Sequence, residues 1–257
     1  MRNRFIKPVA QYADYLSDLK NCKKKFKVTH YGSTYKIAYD NRLWVFGNRI
    51  EAENKDVVLA CRLVKRDCDI AIKNGLVHED KDVVENFKTK IFNRDIFDKY
   101  NQFYGFDIEA CYWNIAYNNV PILSMQTYAS LYEQKDIRNI ALGCLGRIEV
   151  EEEYDCGEMV SRLPIKSIYY NLYAQIRYKA HQWFLAINDI CNNEVGLYKT
   201  DEYIIPEKYA LEVLRFLKAE GAFDKSGQNK IYDVKKLSAH GVMLQNAVYE
   251  EDARFIA

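Results

Sequence analysis

The run from Tyr104 to Ile115 constrains the fold most. An apolar stretch, Phe103 to Phe106, ends on Asp107, and beyond Tyr112 the pattern turns helical with Trp113, Ile115 and Ala116. A strand that ends on an acid and passes into a helix sets a carboxylate at the rim of a sheet. There it can hold a metal ion without being buried as an unpaired charge. The plain alternative is a turn or helix cap, the commoner role of an aspartate after an apolar run. A second constraint lies at Val195 to Pro206, where two apolar segments flank Lys199, Thr200, Asp201 and Glu202. This predicts a β-hairpin with Asp201 at its tip.

Around these stretches the chain reads as an α+β protein. Helical spacing of Val9, Tyr12, Tyr15, Leu16 and Leu19 predicts a helix within residues 1–24, closing in Lys23, Lys24 and Lys25. Alternation from Phe26 to Ile50 predicts a three-stranded meander. Asp56 can cap a helix that carries Val57, Cys61, Val64 and Cys68 inward and stops at Gly75, and a second helix is expected from Asp82 through Phe87, Ile91 and Phe92. Glu149 to Asp155 is an acidic surface hairpin or loop reaching Gly157. A long helix is expected over 165–190, with Ile168, Tyr169, Leu172, Ile176, Trp183 and Ile187 as its buried stripe. Another follows over 207–220, stopped by Gly221, then an edge strand over 230–234, and residues 250–257 are expected to be disordered.

A chain of 257 residues, 49% hydrophobic and 28% charged, has room for one large domain or two small ones. Lys and Arg total 37 against 36 Asp and Glu, so any nucleic-acid footprint must be a local patch and not a global basic field. No apolar run is long enough for a membrane span, and Met1 to Ile6 lacks a signal-like core, which predicts a cytoplasmic protein with no membrane partner. The seven cysteines form no C-x-x-C pair and the four histidines are scattered, so no zinc site is expected. The thiols read as small buried groups in a reducing compartment. The 21 tyrosines could stack on bases, although a Tyr-rich core is the commoner arrangement.

Three stretches in order carry a resemblance. Asp107 with Tyr112 resembles the D-x-x-S-L-Y-P-S-I signature of family B DNA polymerases. Lys135 to Gly143 is similar to the helix-borne K-x-x-x-N-S-x-Y-G, with Lys135 and Asn139 kept, Ile140 in place of Ser and Leu142 in place of Tyr. Thr200 and Asp201 fall on the T-D pair of the Y-G-D-T-D-S hairpin, with Lys199 where the first Asp would stand. Each alone also reads blandly, the second as an amphipathic helix ending at Gly143.

The resemblance implies a polymerase-like palm: an antiparallel sheet backed by the helices over 165–190 and 207–220, with an N-terminal α/β region of unknown role. It implies residues 1–100 as that region, 101–235 as the palm with reduced fingers, and 236–257 as a tail. By the resemblance Asp107 and Asp201 are the catalytic carboxylates and hold Mg²⁺ or Mn²⁺. Tyr112 is the sugar gate, Lys135 holds the triphosphate, Asn139 lies beside the templating pair, and Arg138 is the candidate for a further phosphate contact. Lys199 stands beside the metal site, where it would lower metal occupancy or touch a phosphate. The implied partners are a DNA primer–template and deoxynucleotides, with a protein partner supplying missing fingers or thumb. No proofreading exonuclease is expected, since no Asp-x-Glu strand precedes the palm. The other reading is a palm-derived module without catalysis that binds nucleic acid or assembles.

Overall fold

The computed structural model describes residues 3–32, 34–47, 55–77, 87, 89–224, 230–238, 241–246 and 253–256. The chain folds into two compact units, each made from two stretches: Met1–Ile70 with Glu133–Tyr173, and Ala71–Tyr132 with Ala174–Ala257.

In the first unit, β1 (Asn3–Lys7), β2 (Phe26–Tyr31), β3 (Thr34–Tyr39), β4 (Arg42–Phe46), β7 (Ile148–Asp155) and β8 (Glu158–Lys166) form a six-stranded sheet in the order β1-β4-β3-β2-β7-β8. The meander is the one the alternation predicts. Phe26 and Val28 point inward and Lys27 outward, and Asp40 and Asn41, at φ 47° and 55°, make the tight turn that short polar residues tolerate. Helix α1 (Tyr12–Asn21) lays Leu19 on a core of Phe26, Val28, Ile37, Phe46 and Tyr154. The acidic run is strand β7, hydrogen-bonded to β2. Its carboxylates are met by lysines: Glu151 by Lys27 at 2.9 Å, Glu149 by Lys36 at 2.9 Å and Glu153 by Lys25 at 3.3 Å. This neutralises a row of like charges that would otherwise weaken the sheet. Two helices complete the unit: α2 (Lys55–Lys73), which belongs to it as far as Ile70, and α6 (Lys135–Gly143).

The second unit is built on β5 (Lys90–Phe92), β6 (Gln102–Asp107), β9 (Leu197–Lys199), β10 (Glu202–Pro206), β11 (Ile231–Ser238), β12 (Gly241–Asn246) and β13 (Ala253–Ile256), an antiparallel sheet in the order β13-β12-β11-β6-β10-β9-β5. Period-two alternation gives it two apolar faces. On one, Phe103, Leu197, Ile204, Val242 and Leu244 pack against Ile96 and Phe97 of α3 (Arg94–Lys99). On the other, Phe106 stacks on Tyr203 at 4.8 Å, Tyr203 meets Tyr198 at 5.1 Å, and Tyr198 stacks at 4.3 Å on Phe184 of α7 (Tyr170–Ile190). Helices α4 (Cys111–Asn118), α5 (Met125–Leu131) and α8 (Ala210–Ala219) complete it, and Gly221 at φ 73° ends the last of them. An antiparallel sheet carrying helices is the α+β arrangement read from the sequence.

Several local expectations need correction. Asn3–Lys7 is a strand parallel to β4, not the start of a helix, because Pro8 cannot sit inside a helix and separates the two patterns. Lys90, Ile91 and Phe92 form β5, paired with β9; the rest of the helix expected there, from Asp82, falls outside the described residues except Phe87 and Thr89. The long helix starts at Tyr170, since Ile165 is in β8, and Ile168 is exposed. Ala253–Ile256 is a strand paired with β12 where a disordered end was expected. The strand read over 230–234 is internal, between β6 and β12. Among the described residues no helix is long and apolar enough to cross a membrane.

Candidate functional site

Strand β6 brings Asp107 to its end, and register does the rest. Asp107 lies directly across from Glu202, the first residue of β10, and the Ile108 amide donates to the Asp201 carbonyl oxygen at 2.9 Å. Both predicted carboxylates therefore sit at one edge of one sheet, Asp107 ending a central strand and Asp201 in the β9–β10 turn. Glu202 in turn faces Lys199 across β9. Directly paired residues share a face, so Lys199, Glu202 and Asp107 form one row, and the glutamate stands between the lysine and the aspartate.

The local chain geometry is strained on both sides. After Ile108, buried and bridged to Asp224, Ala110 takes φ 45° and reverses the chain into α4. At the hairpin tip Thr200 takes φ 63°. Neither residue is a glycine, and a β-branched residue in the left-handed region is an outlier that costs about 1–3 kcal/mol. Such outliers gather where a side chain must be aimed, and these two lie within three residues of the two aspartates. The turn into α4 is pinned by Asn114, which is buried: its Nδ2 donates to the Glu109 carbonyl at 2.7 Å, and its Oδ1 accepts from the Tyr128 hydroxyl at 2.6 Å.

The electrostatics place the carboxylates around shared neighbours. Burial, then Asp201 and then Asp107, hold the Cys111 thiol well above its ordinary range. Burial, then Cys111 and Asp201, push the Tyr198 hydroxyl up to about 12 against the opposing Arg177. Tyr203 is raised further by burial, Tyr198, Cys111, Asp201 and Tyr112 in that order. Asp201 thus acts on Cys111, Tyr198 and Tyr203, while Asp107 acts on Cys111. The Tyr203 side chain is fully buried, yet its hydroxyl has no hydrogen-bond partner among the described residues.

Tyr112 is half-buried in the first turn of α4, where the sequence places it. Lys199 ends β9 and is exposed. Lys135, Arg138 and Asn139 belong to the first unit, on α6, with Lys135 and Asn139 exposed and one turn apart. Lys230, immediately before β11, is ion-paired at 2.7 Å to Asp224, which also accepts from the Tyr104 hydroxyl at 3.1 Å.

Sequence reasoning did not single out Cys111, Asn114, Glu202 or Tyr203. Asn114 carried a signal, a polar residue between Trp113 and Ile115 in an otherwise apolar turn; the rest depend on cross-strand register. Among the described residues no three His, Cys, Asp or Glu side chains converge as a metal cage. A hard divalent ion held by two carboxylates, with phosphate oxygens and water completing its shell, matches this donor set, while a closed tetrahedral zinc site does not. Compared with protein-family models, curated protein sequences and solved structures, the chain matches none.

Proposed function

We propose that the second unit is a polymerase-like palm and that the protein is a minimal metal-dependent nucleotidyltransferase that adds deoxynucleotides to a 3′-hydroxyl. The observation that carries this reading is the adjacency of Asp107 and Asp201 on hydrogen-bonded chain segments, each beside a strained residue. Bound Mg²⁺ or Mn²⁺ would neutralise triphosphate charge and lower the pKa of the attacking hydroxyl. The chain's own groups position the reactants. Asp107 and Asp201 supply hard oxygen ligands, and Tyr112 offers a ring in the first turn of α4 against which a sugar can rest. Lys199 supplies a cation on the row that ends at Asp107, suited to a phosphate oxygen. Lys135, Arg138 and Asn139 carry the triphosphate role only by the resemblance. A primer–template and a partner protein supplying fingers or thumb complete the proposal.

The test is Mn²⁺ binding and primer extension by the native chain, Asp107→Asn and Asp201→Asn. The expected result is at least about a tenfold loss of Mn²⁺ affinity in each variant, with loss of extension. Native Mn²⁺ binding indistinguishable from both variants, with no extension, would favour a catalytically inactive, nucleic-acid-binding or assembly module.

A further inference from the structure

We infer that Cys61 and Cys144 form a thiol–disulfide exchange site for small anionic disulfides, in which Cys61 attacks and Cys144 resolves. The site lies within the first unit and is independent of the function proposed above. Cys61 is on the second turn of α2, and Cys144 immediately follows α6. The two thiols are in side-chain hydrogen-bond contact, and both line a cavity of about 940 Å³. Neither cysteine is fully buried, so a ligand entering the cavity reaches sulfur directly.

Asymmetry between the thiols assigns the roles. Cys61 has its thiol pulled below its ordinary value, first by its side-chain contact with Cys144 and, against burial, by Lys65, one helical turn on, and Arg147, both of which line the same cavity. Cys144 is pushed up by the same contact and by burial, and it keeps its proton for the Ala141 carbonyl, to which its Sγ–H donates at 2.9 Å. A thiolate with a protonated thiol beside it is the arrangement of an attacking and a resolving cysteine. The cavity also sets the ligand class. Lys36, Arg62, Lys65 and Arg147 line it, and one carboxylate, Glu149, pairs with Lys36 and Arg147 at 2.9 and 2.7 Å. The remaining positive field of Arg62 and Lys65 favours an anion, and the apolar walls from Leu43, Val45 and Val57 accommodate its carbon skeleton.

The chemistry balances. The Cys61 thiolate attacks one sulfur of R–S–S–R, the S–S bond breaks, and R–S⁻ leaves and takes up a proton. The Cys144 thiol then gives its proton to solvent and attacks Cys61 Sγ, expelling the second R–S⁻. The pair loses two electrons and the ligand disulfide gains two. The product is a cross-link between the start of α2 and the end of α6.

The experiment treats the reduced full chain with oxidised glutathione, which carries net negative charge, or with cystamine, which carries positive charge, at matched concentration and low salt. Acid-quenched samples are mapped by peptide mass spectrometry. The expected result is a Cys61–Cys144 disulfide formed about tenfold faster than adducts at the exposed Cys22 and Cys156, and faster with oxidised glutathione than with cystamine. Cys144→Ser should stop at the mixed disulfide on Cys61. Adducts at Cys22 and Cys156 with no Cys61–Cys144 link in the native chain would overturn the site, and cystamine reacting as fast as oxidised glutathione would overturn the anionic class. Because the native map needs no substitution, a variant that fails to fold leaves the test standing.

Discussion

Replacing Tyr203 with Phe should stabilise the second unit. The side chain is fully buried, and its ring stacks on Phe106 at 4.8 Å with 4° between the planes, a contact that Phe keeps. What Phe removes is a hydroxyl with no hydrogen-bond partner among the described residues. Burying such a group without compensation costs about 1–3 kcal/mol in proteins. The gap left by one oxygen is smaller than a methyl group, whose loss costs about 1 kcal/mol. The net expectation is a gain of about 1 kcal/mol, or roughly 3 °C in the midpoint for a chain of this size. Trp113 and Trp183 belong to the second unit and Trp44 to the first, so thermal melts followed by tryptophan fluorescence in a Trp44→Phe background report the relevant transition. A midpoint that falls would mean the hydroxyl has a stabilising partner and would sink the reasoning. If the gain in stability comes with a loss of Mn²⁺ affinity or extension, the hydroxyl is kept for the site at the expense of the fold.

Further outcomes follow from other residues. Gly157 turns the β7–β8 hairpin at φ 88°, and a Cβ there would lie 2.5 Å from the Lys20 carbonyl oxygen, so Gly157→Ala should lower the first unit's stability by about 2 kcal/mol in a denaturant titration. Glu194 is pulled down to about 2, first by Lys99 and then by the hydroxyls of Tyr100 and Tyr209 at 2.6 and 2.7 Å. With the folded value depressed, its contribution is complete above the ordinary value of 4.5 and is lost as pH falls from there to about 2. Glu194→Gln should therefore flatten the stability profile in that window; an unchanged profile would assign the acid loss to other groups. In an enzyme shown to extend primers, Tyr112→Ala should relax discrimination against ribonucleotides, and unchanged discrimination would remove Tyr112 as a sugar gate.

What could be read from the sequence follows the reach of each signal. The meander and the 195–206 hairpin are legible because alternation is a local property, and β2 to β4 and β9 to β10 need only adjacent residues to declare themselves. The interleaving of two units is not local: Ala71–Tyr132 joins Ala174–Ala257 across the first unit's second stretch, and no composition shift marks either crossing. The terminal strand β13 was missed for the same reason, since four residues show no period of their own and gain a partner only through β12. The site divides along the same line. The place of Asp107 and Asp201 at a strand end and a hairpin tip is legible because each follows a periodic run, while the row from Lys199 through Glu202 to Asp107 exists only once β6, β10 and β9 are in register.

That register makes the strain at Ala110 and Thr200 informative. A hairpin selected only to connect β9 to β10 would favour Gly or Asn at a positive φ, and a strand-to-helix turn would favour Gly at position 110. This chain holds alanine and threonine there, with φ of 45° and 63°, and the hydrogen bonds from Asn114 to Glu109 and from Thr200 to Thr89 keep those turns in place. The two strained residues lie within three positions of Asp107 and Asp201, and the buried Tyr203 hydroxyl lies two positions beyond Asp201. Positive φ at the other non-glycine positions falls on Asp40, Asn41, Asn192 and Asn193, residue types that tolerate it, or on the exposed turn residues Lys23 and Cys156, so the β-branched Thr200 is the costliest of the set.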